Sequence, residues 1–326
     1  MLHYVARPDR LDFRDREFRP RLTSQPEQYP SNAEIAVFFR KYAEKMVLNQ
    51  GDSLACTGFA LAAVINYLKW LERLRAAEAL GENIETLEVS DAKKRVSSVM
   101  LYNAAKVYDE WEGEDYEGSS CRGAMKGWHK HGVCSEDIWP FGVEAERTKP
   151  SVGWSHEGAK NPLGAYYRVN NMSIADMQSA IFEVGAVYCS ASIHQGWAFQ
   201  HHTERPSCQH FEATDKDGSE IQRFSLPIIP MSDDELGGHA FSLVGYTERG
   251  FIVQNSWGPD WGTKWDNDAR TIRNAAGGFA LLTYEDWIEN SHDAWVSAMA
   301  APMMVSGAAA DEDNGIMSRS RHSLLE

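Results

Sequence analysis

This sequence lacks long hydrophobic runs and an excess of basic residues. No run of about 18 consecutive apolar residues occurs in the 326 residues, so we expect no transmembrane helix. The first residues also lack a basic segment followed by an apolar core, so we expect no secretory signal. The net charge of −15 argues against nucleic acid or an anionic membrane as the main partner.

Cysteine is scarce, and its spacing is irregular. The cysteines form no CxxC pair and no regular disulfide framework; they are Cys56, Cys121, Cys134, Cys189 and Cys208. An odd, sparse set fits a reducing compartment, so we predict a cytoplasmic protein whose thiols are mostly buried fillers. Metal-capable side chains cluster between positions 201 and 210, but their polar setting is more typical of a solvated loop. We predict neither a metal nor a cofactor.

Hydrophobic periodicity divides the chain into a helical part and a β-rich part. Apolar residues recur at helical spacing over residues 53–80, with Ser53 as the predicted N-cap and Gly81 as the stop. Further helices are predicted over 33–45, 96–111, 122–131 and 174–184. Apolar runs of strand length cover 186–193, 239–246, 250–254 and 279–283.

This pattern predicts four regions along the chain. They are an N-terminal arm over 1–45, a helical lobe over 46–165, a β-rich lobe over 166–300 and a flexible tail over 301–326. The arm is rich in Arg, Asp and Pro and is either a short cover or part of the body of the fold. The polar segments 198–227 and 264–276 are predicted to be surface insertions near the second lobe.

The most informative residue is Cys56, which opens the apolar helix. Partial positive charge at a helix N-terminus favours a thiolate, and a nearby imidazolium favours it further. An arbitrary cysteine is more often a small buried hydrophobe. Here Gln50 lies just upstream and offers an amide donor beside the backbone N–H of Cys56, which is an arrangement suited to an oxyanion.

A histidine and an asparagine supply the remaining parts of a thiol-based site. His239 opens an apolar strand, and Asn255 follows the next strand across a turn. Adjacent antiparallel strands would place both side chains at one end of the sheet. The asparagine amide would then fix the tautomer of the imidazole and aim its other nitrogen at sulfur, while Trp257 covers that hydrogen bond.

These residues carry a resemblance to a known family. Gln50, Cys56, His239 before an alanine, and the run Asn255-Ser256-Trp257-Gly258 occur in the order seen in the papain family of cysteine peptidases, and the chain resembles its bacterial branch in particular. The resemblance extends over residues 46–285. It implies an α+β, two-lobed papain-like fold, in which a helical lobe faces an antiparallel β-barrel-like lobe across the active-site cleft.

The resemblance also implies a role for each residue. Cys56 would be the nucleophile, His239 the general base and acid, Asn255 the orienting residue and Gln50 the oxyanion donor. The substrate would be a protein or peptide bound as an extended strand along the cleft.

The resemblance also implies a binding surface for that substrate. Gly118 and Ser119 align with the segment that hydrogen-bonds the substrate backbone two residues before the cut. Gly238 and Ala240 flank His239 in the pocket for that side chain, and their small size favours an open pocket for a bulky apolar or aromatic group. Trp257 completes the predicted substrate-binding residues.

Other functions are compatible with the same residues. A transferase or ligase would pass the acyl group from sulfur to an amine or thiol instead of water, and a degenerate scaffold would bind peptides without cleaving them. Endopeptidase and exopeptidase action are both open. A regulatory partner or domain is possible, because an unregulated peptidase in the cytoplasm would be hazardous.

Overall fold

The computed structural model describes residues 5–21, 28–32, 34–35, 42, 46–82, 95–110, 118–142, 149–214, 221–268 and 270–299. Most of the predicted helix over 33–45 and the whole predicted tail over 301–326 lie outside these residues. Within them, no helix is long and apolar enough to cross a membrane.

The helices occur close to where the periodicity predicts them. They are α1 (Cys56–Ala79), α2 (Ser98–Val107), α3 (Cys121–His131), α4 (Trp154–Gly158), α5 (Ile174–Val184) and α6 (Tyr284–Asn290). The prediction that Ser53 is the N-cap of α1 is wrong. Ser53 instead donates its hydroxyl to the carbonyl of Gln50 at 2.7 Å and closes a turn, so the helix begins at Cys56.

The strands lie mainly in the second part of the chain. They are β1 (Leu163–Arg168), β2 (Val187–His194), β3 (Cys208–Thr214), β4 (Ile221–Pro227), β5 (Glu235–Tyr246), β6 (Gly250–Gln254), β7 (Lys264–Trp265), β8 (Arg270–Thr271), β9 (Phe279–Thr283) and β10 (Ser291–Met299). Six of them form an antiparallel sheet in the order β1-β10-β2-β5-β6-β9. The predicted α+β class is confirmed. Among the described strands this sheet is open, with β1 and β9 at its edges, and not a closed barrel.

Helix α1 is packed on the sheet along most of its length. Its first thirteen residues, Cys56 to Leu68, are all buried, and Ser242 of β5 donates its hydroxyl to the carbonyl of Ala60 at 3.0 Å. One apolar core fills the space between this helix, α2, α3 and the near face of the sheet. A second core lies on the far face, beneath α5 and α6. The burial of α1 on β5 fixes the position of the two elements relative to each other.

The two polar segments are partly built into the fold. Segment 198–227 holds a short 3₁₀-helix, Phe199–His201, and the β3–β4 hairpin, and Phe199 and Phe211 within it are both 1% exposed. Segment 264–276 holds the short β7–β8 hairpin. The prediction of surface insertions is therefore wrong for Phe199, Phe211 and Leu226, because these apolar side chains are buried in the body of the fold.

The chain before α1 packs along the outside of both lobes. Val5 pairs with Gly238 of β5, Arg7 pairs with Ser120 before α3, and Glu17 pairs with Arg168 of β1. We call residues 5–21 the arm. It crosses from the sheet to the helical lobe and returns to the edge of the sheet.

Gly132 offers a test of the junction between α3 and α4. It ends α3 with a φ of 66°, and a Cβ built there would lie 2.0 Å from the carbonyl oxygen of Gly158. We expect Gly132→Ala to lower the free energy of unfolding by about 2 kcal/mol or more, because a positive φ and a backbone clash act together. Urea denaturation measures this change.

Gly153 is the matched control for that substitution. Its φ is 87°, and no described atom lies within 4 Å of a Cβ built on it. Gly153→Ala should therefore cost only the backbone term, about 1 kcal/mol. Equal losses for the two variants would show that the contact with Gly158 contributes nothing.

Candidate active site

Cys56 is the first residue of α1 and is 3% exposed. In the described part of the chain, no side chain caps the first turn of this helix. The N-termini of α2, α3, α5 and α6, in contrast, are each capped by a serine or threonine hydroxyl. The capping residues are Ser97, Ser120, Ser173 and Thr283. The N–H groups at the start of α1 are therefore suited to stabilise a negative charge that develops beside Cys56.

His239, in the middle of β5, and Asn255 meet where β6 ends. The Nε2 atom of His239 lies 2.9 Å from Oδ1 of Asn255, and both side chains are buried. The same oxygen accepts the backbone N–H of Ser256 at 2.8 Å, which fixes the orientation of the amide. Because Oδ1 is an acceptor, Nε2 carries the proton and Nδ1 is the basic nitrogen.

Aromatic side chains surround the imidazole. The ring of Trp257 lies 4.9 Å from that of His239 at an angle of 36°, and Trp197 approaches edge-on at 6.2 Å. Trp261 in turn donates its indole N–H to the carbonyl of Trp197 at 2.9 Å. This cluster excludes water from the His239–Asn255 hydrogen bond and strengthens it.

Several contacts bring the start of α1 to this end of β5. Ala240, the neighbour of His239, provides a backbone hydrogen bond to the Cys56 thiol. Tyr188 of β2 donates its hydroxyl to the carbonyl of Thr57 at 2.9 Å. The start of α1 is thus bonded to β5 and to β2 on either side of Cys56.

Gln50 is held beside the same site by the loop after β6. Its backbone N–H donates to the carbonyl of Ser256 at 2.8 Å, and the Ser256 hydroxyl donates to its Oε1 at 2.6 Å. The amide oxygen is therefore turned toward Ser256. The amide nitrogen faces the start of α1 and donates one hydrogen to the carbonyl of Ser53 at 3.1 Å.

The predicted backbone-binding segment lies across the cleft from β5. Gly118 and Ser119 are buried, and the Ser119 hydroxyl is 2.6 Å from that of Thr57, next to the nucleophile. This bond ties the segment to α1. The structure therefore links the predicted site residues through direct contacts, which join Gln50 to Ser256, His239 to Asn255, Ala240 to Cys56 and Ser119 to Thr57.

The arm covers this cleft. The backbone N–H of Ala6 donates to the carbonyl of Gly238 at 2.9 Å, and that of Arg7 donates to the carbonyl of Ser119 at 3.4 Å. Ala6 is 5% exposed and packs in the same core as Cys56. The arm thus occupies Ser119, which the resemblance assigns to the substrate backbone, and Gly238, which it assigns to the pocket for a substrate side chain.

Buried charges anchor the arm beyond the cleft. The guanidinium of Arg122, 0% exposed, binds the carboxylates of Asp15 and Glu110. Asp9 donates its backbone N–H to Asp293 at 2.8 Å. Burial and the neighbouring Asp293 raise the pKa of Asp9 above its ordinary value, because two carboxyl groups share one enclosed site.

The covered site is electrically neutral. Burial raises the pKa of Cys56 to about 11, although backbone hydrogen bonds from Ala240 and Ala6 act in the opposite direction and lower it. Burial lowers the pKa of His239 to about 4, against the hydrogen bond with Asn255. At neutral pH the covered pair is therefore a thiol and a neutral imidazole, because a dry site disfavours both charged forms.

Some residues of the site were not predicted from the sequence. These residues are Ala6 and Asp9 of the arm and their partners Arg122 and Trp295. The two groups come from distant parts of the chain. The alternation of Arg and Asp over residues 7–16 was a signal that this segment forms ion pairs. Thr57 and Trp197 gave no comparable signal, because their contacts depend on tertiary packing.

Comparison with known proteins supports the fold. No protein-family model matches the chain. An uncharacterised peptidase C1-like protein of Acanthamoeba polyphaga mimivirus is 26% identical over 170 residues, which are 51% of this chain and 50% of that protein. The chain thus spans about half the length of the curated relative that it matches.

Solved structures resemble the chain over most of its length. Xylellain, a cysteine protease from Xylella fastidiosa, is 22% identical with a TM-score of 0.61 and covers 90% of this chain and 95% of its own. A procathepsin B from Trypanosoma congolense is 13% identical with a TM-score of 0.58 and covers 92% and 87%. A digestive procathepsin L from Tenebrio molitor is 14% identical with a TM-score of 0.52 and covers 90% and 76%. The chain has the papain-like fold, and the predicted resemblance is confirmed for the fold.

Gly238 allows the arm to be displaced by one substitution. A Cβ built there would lie 1.8 Å from the carbonyl oxygen of Ala6, and the backbone of Gly238 needs no positive φ. We expect Gly238→Ala to lift the arm and admit water to Cys56. The pKa of the thiol should then fall from about 11, so alkylation by iodoacetamide begins at a lower pH than in the unchanged chain.

Gly245→Ala on the same strand is the control, because its Cβ meets only the flexible side chain of Ile252. Mass mapping of the labelled thiols separates Cys56 from Cys208, which is partly exposed. Identical pH profiles for Gly238→Ala and Gly245→Ala would show that the arm does not govern the thiol.

Proposed function

We propose that this protein is a papain-like cysteine peptidase that hydrolyses peptide bonds through a thioester. The observation that carries the proposal is the 2.9 Å hydrogen bond between His239 and Asn255, placed beside a cysteine at the uncapped start of α1. This arrangement supplies a nucleophile, a base and an orienting group.

The reaction begins when the arm leaves the cleft. The Nδ1 atom of His239 takes the thiol proton, and the imidazolium and the thiolate stabilise each other. The Cys56 sulfur attacks the scissile carbonyl carbon, and the carbonyl oxygen becomes an oxyanion. The backbone N–H of Cys56 and the second amide hydrogen of Gln50 donate to it.

The intermediate then collapses in two stages. The imidazolium gives its proton to the leaving amine, the C–N bond breaks and the thioester remains on Cys56. Water enters, His239 takes one of its protons, and the hydroxide attacks the thioester carbonyl. The carboxylic acid leaves, and the thiol is restored with the proton that His239 held.

The contacts of the arm support proposals about both the substrate and the regulation of the site. Support for an extended peptide substrate comes from the arm itself, whose backbone is bound by Gly238 and Ser119. We propose that the arm is the gate, since it covers Cys56. A regulatory partner that pulls the arm away and a cytoplasmic location remain proposals; the free state of all five thiols supports the latter.

Removal of the nucleophile tests the proposal most directly. Cys56→Ala and His239→Ala, each made in the Asp15→Ala background, which removes an ion pair that anchors the arm to Arg122, should abolish both peptide cleavage and labelling by a thiol-directed peptidyl epoxide. Cys189→Ala is the matched control, because Cys189 is a buried thiol on β2 outside the site. Full turnover in Cys56→Ala would end the proposal, and mass analysis of products with added amines would reveal an acyl transferase.

The oxyanion role of Gln50 predicts a more graded effect. Gln50→Ala should lower kcat by about 100-fold to 1000-fold, since one oxyanion donor is lost. Gln50→Glu replaces the donor with an acceptor and should be no better. A drop in kcat below about threefold for Gln50→Ala would show that another group stabilises the oxyanion.

A further inference from the structure

The ring of Trp197 packs on the imidazole of His239 from a segment outside the predicted motif. The two ring centres lie 6.2 Å apart, and the ring planes are nearly perpendicular, at 83°. The rings of Trp257 and Phe241 lie closer to parallel with the imidazole, at 36° and 29°. The imidazole is therefore held between rings of two different orientations, which restricts its rotation.

Trp197 reaches His239 only because the chain turns back after β2. Ala191 is the register partner of His239 on β2. If the strand continued, residue 197 would lie about 20 Å farther along, at about 3.3 Å per residue. Instead, β2 ends at His194 and is followed by the short 3₁₀-helix Gln195–Trp197, which we call the turn. The geometry of the turn therefore decides whether the indole meets the imidazole.

The side chain of His194 holds the turn. Its Nδ1 atom accepts the backbone N–H of Gly196 at 3.2 Å, and its Nε2 atom lies 3.1 Å from Oδ2 of Asp286. Both side chains of this histidine–aspartate pair are buried. Because a carboxylate oxygen accepts, Nε2 carries the proton and Nδ1 is left as the acceptor. Asp286 thus fixes the tautomer of His194 that the turn requires.

Two further contacts make this arrangement rigid. Oδ1 of Asp286 accepts the side-chain amide of Asn290 at 2.9 Å, which orients the carboxylate. A Cβ built on Gly196 would lie 1.8 Å from the carbonyl oxygen of Pro230. The turn is therefore packed directly against the backbone of another segment and has little room to shift.

The indole N–H of Trp197 has no hydrogen-bond partner among the residues that the structure describes, although the side chain is buried. Four other buried tryptophans donate their indole N–H to an oxygen; they are Trp128, Trp261, Trp287 and Trp295. A buried donor without an acceptor destabilises a fold. Stability alone therefore does not favour an indole over a phenyl ring at this position, and the larger ring extends the reach toward the imidazole.

We propose that Trp197 is a positioning residue for His239, and that the buried His194–Asp286 pair holds it in place through the turn. The contacts run from the carboxylate through the first histidine and the capped turn to the indole, and from there to the imidazole. In the reaction, the indole keeps the imidazole aligned between the step that takes the thiol proton and the step that releases it. This role in the reaction rests on the proposed peptidase activity, whereas the contact with the imidazole does not.

Titration of the imidazole tests the position of Trp197 without any activity. Burial lowers the pKa of His239 to about 4. Trp197→Leu should raise that pKa toward the ordinary value of about 6.5, because the ring is then less shielded from water. NMR titration of labelled histidines measures the change, and the signal of His239 is the one that His239→Ala lacks.

Trp287→Leu is the matched control for this titration. Trp287 is as deeply buried as Trp197 and packs on Phe241 and Phe251. Its replacement should leave the pKa of the imidazole unchanged. An unchanged pKa in Trp197→Leu, or an equal rise in both variants, would overturn the proposal.

Trp197→Phe gives the same test in a protein that keeps a ring at this position. It should raise the pKa of His239 by less than leucine does. It should also lower the urea midpoint less than Trp287→Phe, because only Trp287 loses a hydrogen bond, to the carbonyl of Asn171 at 2.7 Å. A larger loss of stability in Trp197→Phe would show that the indole is kept for packing.

Variants of Asp286 test how the indole is held. Asp286→Asn keeps an oxygen that can accept from Nε2 of His194, so the pKa of His239 should stay as it is in the unchanged chain. Asp286→Ala removes that acceptor and no longer fixes the tautomer, so the pKa should rise as it does in Trp197→Leu. Equal titration curves for the two Asp286 variants would overturn the role of the pair.

Peptide kinetics in the Asp15→Ala background test the consequence for the reaction. Trp197→Leu should lower kcat by about tenfold or more while KM stays within about twofold, because a misplaced base slows the chemical steps and not substrate binding. Cleavage with an unchanged kcat would overturn the role of Trp197 in the reaction. Cleavage of no peptide by Asp15→Ala, together with a raised imidazole pKa in Trp197→Leu, would overturn the proposed function but leave the positioning of the imidazole standing.

Discussion

The docking of α1 on β5 is the contact on which the rest of the structure depends. A buried helix start next to a strand that carries the imidazole brings the elements of Cys56 and His239 together, although more than half of the chain separates them in sequence. The hydroxyl of Ser242 on the carbonyl of Ala60 and that of Tyr188 on Thr57 keep the helix from sliding. Because protein cores are close-packed, such a junction tolerates little adjustment.

The arm determines the environment of the site as much as the site residues themselves do. With the arm in place, Cys56 and His239 are both buried and both pKa values move toward the neutral forms. The hydrogen bond with Asn255 opposes this shift but is the smaller effect. Burial under the arm therefore favours the neutral thiol and the neutral imidazole, and access of water would favour their charged forms.

Much of the fold, and the contact between His239 and Asn255, could be predicted because local signals are strong there. The helix over 174–184 and the strands over 250–254 and 279–283 occur as the periodicity indicates. The start of α1 was misplaced because Ser53 has the side chain of an N-cap but donates to Gln50 instead. Asp9 could not be placed from sequence, since its partners lie more than one hundred residues away.

The charged groups that hold the arm explain how it can dock in one register and still be released. Arg122 with Asp15 and Glu110 is a set of charged groups whose removal from water costs about as much as their attraction returns. Apolar anchors of the same size would bind the arm more tightly. Charged anchors fix its register instead, because a shift by one residue would leave a buried charge unpaired.

Docking of the arm also favours the protonated form of the Asp9 and Asp293 pair, which lies between Arg122, Arg168 and His292. A rise in pH through the raised pKa of Asp9 therefore weakens the docking of the arm. The same rise favours the thiolate of Cys56, and the two effects act in one direction.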